Sequence, residues 1–194
     1  MKIPISREEA LEFLKSMNQK ESDFNHYLES EAIMKALAEE FNEDVGYWAM
    51  IGLLHDVDWA LTRENWEEHT SKAEEFLKEK GFDEKFIQII QSHTYGSDLI
   101  PKFKDKQRIK KIEHALAAAE TLTGIIHAYA LMRGKKISNM EVKGLKKKFK
   151  DKAFAANCDR KIIKEIEKTG IDLDEFFKIS IEAIKKIKNL IGLE

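Results

Sequence analysis

Histidine and aspartate side chains stand in this chain where they could bind a metal ion. His55 and Asp56 end the nearly unbroken apolar run in IGLLHDVDWA, residues 51–60. Such a pair is common, so it carries weight only if other ligands are directed at the same point. Neutral imidazoles and carboxylates suit zinc, iron, manganese or nickel. An ion of this kind lowers the pKa of bound water and polarises a phosphoryl oxygen.

Helical periodicity turns further histidines toward the interior. Four of the six histidines fall on inward faces of separate predicted helices. At ~100° per residue, His26, His69 and His93 each lie in the apolar arc of a helix, and His55 ends the buried central helix. One such histidine alone is more often a structural core residue. Several scattered buried imidazoles would be costly, whereas convergence on a metal removes that cost.

The segment HALAAAETLTG offers a further carboxylate. Glu120 is its only charged side chain and lies at the edge of the apolar arc of the longest predicted helix. A solvated edge position is the alternative. His127 lies within ~20° of Glu120 on the same face. It could therefore hold a metal ligand in place without binding the ion itself. His114 projects from the opposite face and is predicted to lie on the surface.

Two ions could share one carboxylate at this site. Ions ~3.5–4 Å apart can be bridged by a carboxylate while they stabilise attacking and leaving oxygens. Asp56 is the candidate bridge. The candidate ligands are His26, His55 and Glu120 for one ion, and His69 and His93 for the other. A helix end allows adjacent side chains to reach one ion, whereas in mid-helix they would diverge.

The elements that must position these residues are predicted to be helices. Almost every segment has a helical period, none has sustained strand alternation, and only two prolines and nine glycines interrupt the chain. Ser6 and Glu9 form a capping-box signature before a helix that runs to about residue 17. Further helices are predicted at about 22–41, 44–56, 65–80, 83–93, 106–133, 139–150, 159–168 and 172–194. We predict one all-α domain over residues 1–194.

Composition narrows the class of protein. The formal net charge of −2 gives no global attraction to nucleic acid or to a membrane surface. No stretch is expected to reach the ~18 apolar residues of a membrane helix. Cys158 is the single cysteine, which excludes an internal disulfide framework and fits a reducing cytosol. We therefore expect a cytoplasmic protein without a membrane partner.

The segment KGLKKKFKDK carries six lysines between Lys143 and Lys152. A solvated helix face is the simplest interpretation. Lys146 and Lys152 flank the buried stripe and could bend toward a cleft, so they are candidates for neutralising the charge of a phosphate ester. No nucleic-acid recognition motif accompanies this patch, and no specific nucleic-acid partner is expected.

The order of the candidate ligands resembles that of the HD-domain metal-dependent phosphohydrolases. The matching positions, on inward helical faces between residues 22 and 130, are His26, His55, Asp56, His69, His93 and Glu120. The family's last ligand is usually Asp where this chain has Glu120, and Asp105 is the nearest alternative, in a lysine-rich stretch. The segments ETLTGIIHAYALMRGKK and VKGLKKKFKDKAFA are similar to a bacterial and archaeal branch of HD proteins, a likeness that identifies no substrate.

The resemblance implies a helical bundle of the HD type at about 22–133 and additional C-terminal helices at about 138–194. It implies a phosphohydrolase, a phosphomonoesterase or phosphodiesterase, that acts on a nucleotide or other small phosphate ester through a metal-activated water. One or two divalent ions of Fe, Mn, Ni or Zn would be bound, with Asp56, His69 and His93 as candidate catalytic residues. Likeness to two-metal members, including diadenosine tetraphosphate hydrolases, makes dinucleotide polyphosphates a reasonable assay.

Two other functions are open at this point. The departure at Glu120 motivates a regulatory module that binds a metal or a nucleotide without turnover. The other alternative is a helical interaction protein whose histidines are structural. The sequence also leaves a homo-oligomer open.

Overall fold

Helices form all the regular structure of residues 2–194, which the computed structural model describes, and there is no strand among these residues. The α-helices are α1 (Arg7–Ser16), α2 (Glu21–Phe41), α3 (Val45–Leu54), α4 (Trp59–Thr62), α5 (Ser71–Glu79), α6 (Glu84–Gln91), α7 (Lys111–Met132), α8 (Val142–Lys150), α9 (Arg160–Ile163) and α10 (Leu173–Ile187). Short 3-10 helices lie at Trp66–Glu68, Ser92–Thr94, Pro101–Phe103, Lys164–Thr169 and Lys188–Ile191. The all-α prediction is confirmed.

Side-chain caps begin several of these helices. Ser6 and Glu9 form the predicted capping box, in which the Ser6 hydroxyl accepts from the Glu9 N–H and the Glu9 carboxylate accepts from the Ser6 N–H. The aspartates Asp44, Asp83 and Asp172 accept backbone N–H groups at the starts of α3, α6 and α10. Each cap satisfies donors that have no partner within the helix.

Helix α3 lies at the centre of the protein because it is apolar on nearly every side. Its packing is closest with α2, where Gly52 allows the two backbones to approach. A Cβ added at Gly52 would lie 2.6 Å from the carbonyl oxygen of Ser30. The C-terminal end of α3 is therefore buried, and it places His55 and Asp56 inside the protein.

Helix α7 is the second central element, and it packs against α2, α8 and α9. By length and composition it could also cross a membrane. The expectation that no stretch would be apolar enough for this was therefore wrong. A core helix passes the same test, and 56% of the most apolar stretch of α7 is buried among the other helices. Its position in the structure is that of a core helix.

The C-terminal helices share the core of the preceding ones. Helix α10 packs on α2, and α9 with the 3-10 helix Lys164–Thr169 packs on α7. One continuous cluster of buried apolar side chains runs from Ala10 to Leu193. The division into a core at 22–133 and an extension at 138–194 stays a prediction.

The helix predicted at 65–80 is broken in the structure, and this correction concerns the site. Thr70 has a left-handed φ of +61°, and α5 begins only after it. The carboxylate of Asp58 accepts from the Ala73 N–H at 3.0 Å and from His69 Nδ1 at 2.9 Å. Because one carboxylate holds both groups, the chain turns between His69 and α5 instead of running straight.

Other boundaries also differ from the prediction. The helix predicted to end at residue 93 changes to 3-10 geometry at Ser92–Thr94. Helix α7 begins at Lys111 and not at residue 106, and the short α4 was not predicted. His69 and His93 thus both lie outside regular α-helix, where the chain can redirect a side chain.

Candidate metal centre

Four imidazoles from separate elements surround the carboxylate of Asp56. The Nε2 atoms of His93 and His69 lie 3.2 and 3.3 Å from Asp56 Oδ1. His55 Nε2 lies 3.6 Å from the same oxygen, and His26 Nε2 lies 3.8 Å from Asp56 Oδ2. The structure therefore brings together five of the six residues that the sequence indicated as metal ligands.

The five side chains form two groups that share Asp56. His26, His55 and Asp56 form one group, and Asp56, His69 and His93 form the other, each with ligand atoms within 4.8 Å of one another. The Nε2 atoms of His26 and His55 are 3.0 Å apart, and those of His69 and His93 are 3.3 Å apart. This is the arrangement expected of a bridging carboxylate between two cation positions.

Backbone carbonyls orient two of the rings. His55 Nδ1 donates to the carbonyl of Gly52 at 2.8 Å, and His93 Nδ1 donates to that of Ile90 at 2.7 Å. Each acceptor lies three residues earlier in the chain. A proton held on Nδ1 leaves Nε2 of the neutral ring with a free lone pair, as in metal-binding histidines.

Side chains orient the other two rings. The Thr123 hydroxyl donates to the Glu120 carbonyl at 2.6 Å, so its oxygen accepts from His26 Nδ1 at 2.8 Å. His69 Nδ1 donates to Asp58, which is fully buried. All four imidazoles are therefore held by Nδ1 and, when neutral, direct a lone pair of Nε2 toward Asp56.

This donor set fits a cation. The facing lone pairs of His26 and His55, whose Nε2 atoms are 3.0 Å apart, repel each other, and the carboxylate of Asp56 supplies no proton when ionised. A divalent ion between the nitrogens would convert the repulsion into coordination. Nitrogen and oxygen donors without a thiolate suit Zn, Fe, Mn or Ni.

The electrostatics of the centre also favour positive charge. Burial opposes ionisation of Asp56, but His55, His69 and His93 hold the pKa of its carboxyl well below the usual range. Burial disfavours a charged His69, yet hydrogen bonds to Asp56 and Asp58 raise the pKa of its imidazole to about 10. Burial lowers the pKa of His55 to about 3, which keeps that ring neutral.

Glu120 is not brought into either ligand group of the described residues. It lies in the wall of the cavity above the centre, with Oε1 2.5 Å from the Thr121 hydroxyl. Burial raises the pKa of its carboxyl to about 7. Asp105, the alternative considered from the sequence, is exposed. A ligand role for Glu120 stays a prediction that these side-chain positions do not support.

The two remaining histidines bind carboxylates away from the centre. His127 Nδ1 lies 2.6 Å from Glu29, so His127 does not support a ligand as the sequence had suggested. His114 was expected on the surface but is only 5% exposed, and it binds Glu165 at 2.6 Å. The expectation for His114 was wrong because the C-terminal segment covers that side of α7.

A cavity of about 720 Å³ opens above the candidate metal centre. His26, His69 and His93 lie in its wall, together with aromatic side chains and residues of the segment 157–165. The wall thus combines the HD-like part of the chain with the C-terminal helices. The volume suits a small molecule.

Lys146 and Lys152 do not reach this cavity. Lys146 pairs with Asp174 at 2.6 Å, Lys152 is exposed, and neither contributes to the wall. Both were chosen because they flank the apolar stripe that begins at Val142. Helix α8 packs on α7 and α10, and none of its residues lies in the cavity wall. The basic side chains in the wall are Arg108 and Lys161, which sequence reasoning missed.

Arg108 supports the turn that carries His93. Its Nη1 donates to the carbonyls of Ser92 and Tyr95, at 2.9 Å each, and to that of His93 at 3.3 Å. Its Nε and Nη2 bind both carboxylate oxygens of Glu165. Nothing in the sequence marked this arginine. Asp58 was also missed, although it lies two residues after Asp56 in HDVD.

Comparison with known proteins agrees with this geometry. A sequence model of the HD domain matches residues 23–125, which is more than half of the chain and includes all five converging side chains. No curated protein and no solved structure matches the chain. The predicted resemblance is confirmed, and the chain belongs to the HD domain superfamily.

Proposed function

We propose that this protein is a metal-dependent phosphohydrolase that acts on a nucleotide or another small phosphate ester. The observation that carries the proposal is the convergence of four imidazole Nε2 atoms on Asp56. This cluster lies at a cavity of about 720 Å³, large enough for such a substrate.

The residues that would hold metal follow from the two ligand groups. His26, His55 and Asp56 would bind one ion, and Asp56, His69 and His93 the other. A divalent transition metal at these positions lowers the pKa of water and stabilises charge on phosphoryl oxygens. Asp56, His69 and His93 are the proposed catalytic residues.

The remaining chemistry belongs to the side chains of the cavity wall. Lys161 can neutralise part of the charge on a phosphate, since a lysine acts as a point charge toward phosphate. Glu120, with a carboxyl pKa of about 7, can hold or release a proton beside the centre near neutral pH. The hydrogen bonds on Nδ1 keep the imidazoles in one orientation, so little reorganisation accompanies binding.

Metal analysis and a substrate screen test the proposal. Purified protein should bind Mn, Fe, Ni or Zn, and the loaded protein should release phosphate or a nucleotide from at least one phosphoester. The Asp56→Asn variant should lose both properties. Wild-type protein that binds none of these metals and hydrolyses no phosphoester would contradict the proposal.

A regulatory module without turnover is a second candidate, and the position of Glu120 outside the ligand groups favours it. Thermal stabilisation by nucleotides, without product from any metal-loaded form, would support this candidate. A cytoplasmic location without a membrane or specific nucleic-acid partner, and an open oligomeric state, stay predictions.

A further inference from the structure

Two tryptophans form an aromatic wall beside the metal centre. The ring centroids of Trp59 and Trp66 are 4.9 Å apart, and the rings meet at 78°. Their centroids lie 5.4 and 6.1 Å from that of His69. Both tryptophans line the cavity, and Trp66 keeps 43% of its surface exposed. An exposed aromatic surface in a cavity is characteristic of a binding site for a flat or apolar group.

The distance between the tryptophans and the centre restricts what can bind both. Trp59 and Trp66 each pack against His69, and His69 Nε2 lies 3.3 Å from Asp56 Oδ1, so the ring of His69 lies between the tryptophans and the centre. A phosphate at Asp56 and a base on Trp66 would therefore need a short linker, such as a single sugar ring. Leu99, also in the cavity wall and 57% exposed, adds further apolar surface. The wall is therefore suited to a heteroaromatic base more than to a free sugar.

Free positive charge in the wall is limited. The donors of Arg108 are engaged by Glu165 and by backbone carbonyls. Lys161 is exposed and joins no acidic side chain in an ion pair within residues 2–194. Glu120 and Asp159 add acidic groups to the same wall. In a ligand with several phosphates, most of the phosphate groups would have no basic side chain of the wall to pair with.

We infer that the substrate is a nucleoside monophosphate, with its base against Trp66 and its phosphate between the Asp56 centre and Lys161. This inference rests on the proposed phosphohydrolase function and names the substrate class of the same site. It also gives a reason to expect that nucleoside triphosphates and dinucleotide polyphosphates are poorer substrates.

The test compares three compounds on the full chain loaded with Mn²⁺. Adenosine 5′-monophosphate is compared with ribose 5-phosphate, which lacks the base, and with adenosine triphosphate, which carries two more phosphates. The kcat/KM for the monophosphate should exceed that for ribose 5-phosphate by about tenfold or more, the size expected for one base–aromatic contact. It should also exceed that for the triphosphate.

Variants identify the residues responsible. Trp66→Leu should raise the KM for adenosine monophosphate by about tenfold and leave the KM for ribose 5-phosphate unchanged. Trp66→Phe, which keeps an aromatic ring, should have a KM for adenosine monophosphate close to that of wild type. Lys161→Met should raise KM for both monophosphates. Leu190→Ala and Lys164→Met are matched controls, because these side chains are exposed and lie outside the cavity wall, and they should change neither value.

A binding measurement separates this inference from the proposed function. Isothermal titration of wild-type protein and Trp66→Leu with adenosine monophosphate and with ribose 5-phosphate needs no turnover. Tighter binding of the nucleotide that depends on Trp66, with no product formed, would support a nucleoside monophosphate as the ligand of this site and contradict the proposed hydrolysis. Equal binding and equal hydrolysis of the two monophosphates would overturn it while leaving the phosphohydrolase proposal standing. A triphosphate preferred over the monophosphate would also overturn it.

Discussion

Two partly buried carboxylates, Asp56 and Glu165, each contact basic or imidazole side chains, but their partners differ in whether they offer N–H donors or lone pairs. Asp56 faces four imidazoles, each held by Nδ1 so that Nε2 is directed inward. Glu165 binds Arg108 through two hydrogen bonds and His114 through one. Arg108 and His114 present N–H donors to Glu165, whereas neutral rings at Asp56 present lone pairs.

The difference separates a binding site from a structural ion pair. At Glu165 the donors and acceptors are already matched, and the cluster joins the C-terminal segment to the turn of His93 through Arg108. Beside Asp56 the neutral rings of His26 and His55 face each other with lone pairs 3.0 Å apart, and a cation would bind both nitrogens and the carboxylate. The orientation of the imidazoles, and not their number near a carboxylate, therefore identifies Asp56 as the candidate metal site.

The largest effect is expected when the bridging carboxylate is removed. Asp56→Asn should lose bound metal, and any phosphoester hydrolysis should fall by about a hundredfold or more, because metal stabilisation of the reacting phosphate is worth several kcal/mol. The chain should remain folded, since its apolar core is unchanged. Metal content, hydrolysis rate and circular dichroism measure the three properties. If the variant keeps its metal, Asp56 is not a metal ligand.

Removing the second carboxylate should have the opposite pattern. Glu165→Gln leaves the Arg108 guanidinium, whose side chain is 7% exposed, without its charge partner. We expect the free energy of unfolding to fall by about 3 kcal/mol, the lower end for breaking a buried pair. Metal content should stay close to that of wild type. Denaturant unfolding, with metal analysis of the same sample, checks both expectations. Metal loss without loss of stability would show that Glu165 supports metal binding and is not a structural ion pair.

A smaller effect is expected at the carboxylate that orients His69. Asp58 accepts from His69 Nδ1 and from the Ala73 N–H. Asp58→Asn should weaken metal affinity by about 10- to 100-fold, the range seen for residues that orient metal ligands. Competition with a chromophoric chelator measures the affinity. Asp174→Asn is a suitable control, because Asp174 contacts Lys146 on the surface, and unchanged affinity in Asp58→Asn would argue against the orienting role.

The Glu165 cluster should also shape the dependence of stability on pH. Burial opposes ionisation of Glu165, but Arg108 and His114 lower the pKa of its carboxyl from 4.5 to about 2. The stabilisation is therefore present above pH 4.5 and is lost as the pH falls through about 2. Wild-type protein should lose more unfolding free energy than Glu165→Gln between these values. Parallel curves for the two proteins over this range would contradict the assignment.

The smallest effect is expected at Lys146. Its ion pair with Asp174 is exposed, so Lys146→Met should change the unfolding free energy by less than about 1 kcal/mol. Hydrolysis of phosphoesters should be unchanged, whereas Lys161→Met should weaken it through KM. A selective loss of activity in Lys146→Met would restore the role that the sequence suggested for that lysine.

The sequence predicted the helical class and most of the centre because both depend on local periodicity. Helical angles placed His26 and His55 on inward faces, and these assignments do not require knowledge of the fold. The break at Thr70 could not be predicted in this way, because it depends on the carboxylate of Asp58 contacting His69 and α5 together. Only the folded chain brings these groups to one point.

The cavity wall was the least predictable part. Arg108 and Lys161 lie more than fifty residues apart, and each reaches the wall through packing of the C-terminal segment on α7. His114 shows the same limitation, since its burial depends on Glu165. A periodic pattern shows which side of a helix is apolar, but it does not show which distant segment covers the other sides.

Anomalous diffraction from crystals loaded with Mn²⁺ tests the central claim most directly. The account predicts anomalous density beside the carboxylate of Asp56, within bonding distance of the Nε2 atoms of His69 and His93 or of His26 and His55. Density at both positions would establish the bridged pair. Crystals soaked in Mn²⁺ that show no anomalous density beside Asp56, with the metal bound elsewhere or not at all, would contradict a metal centre at Asp56.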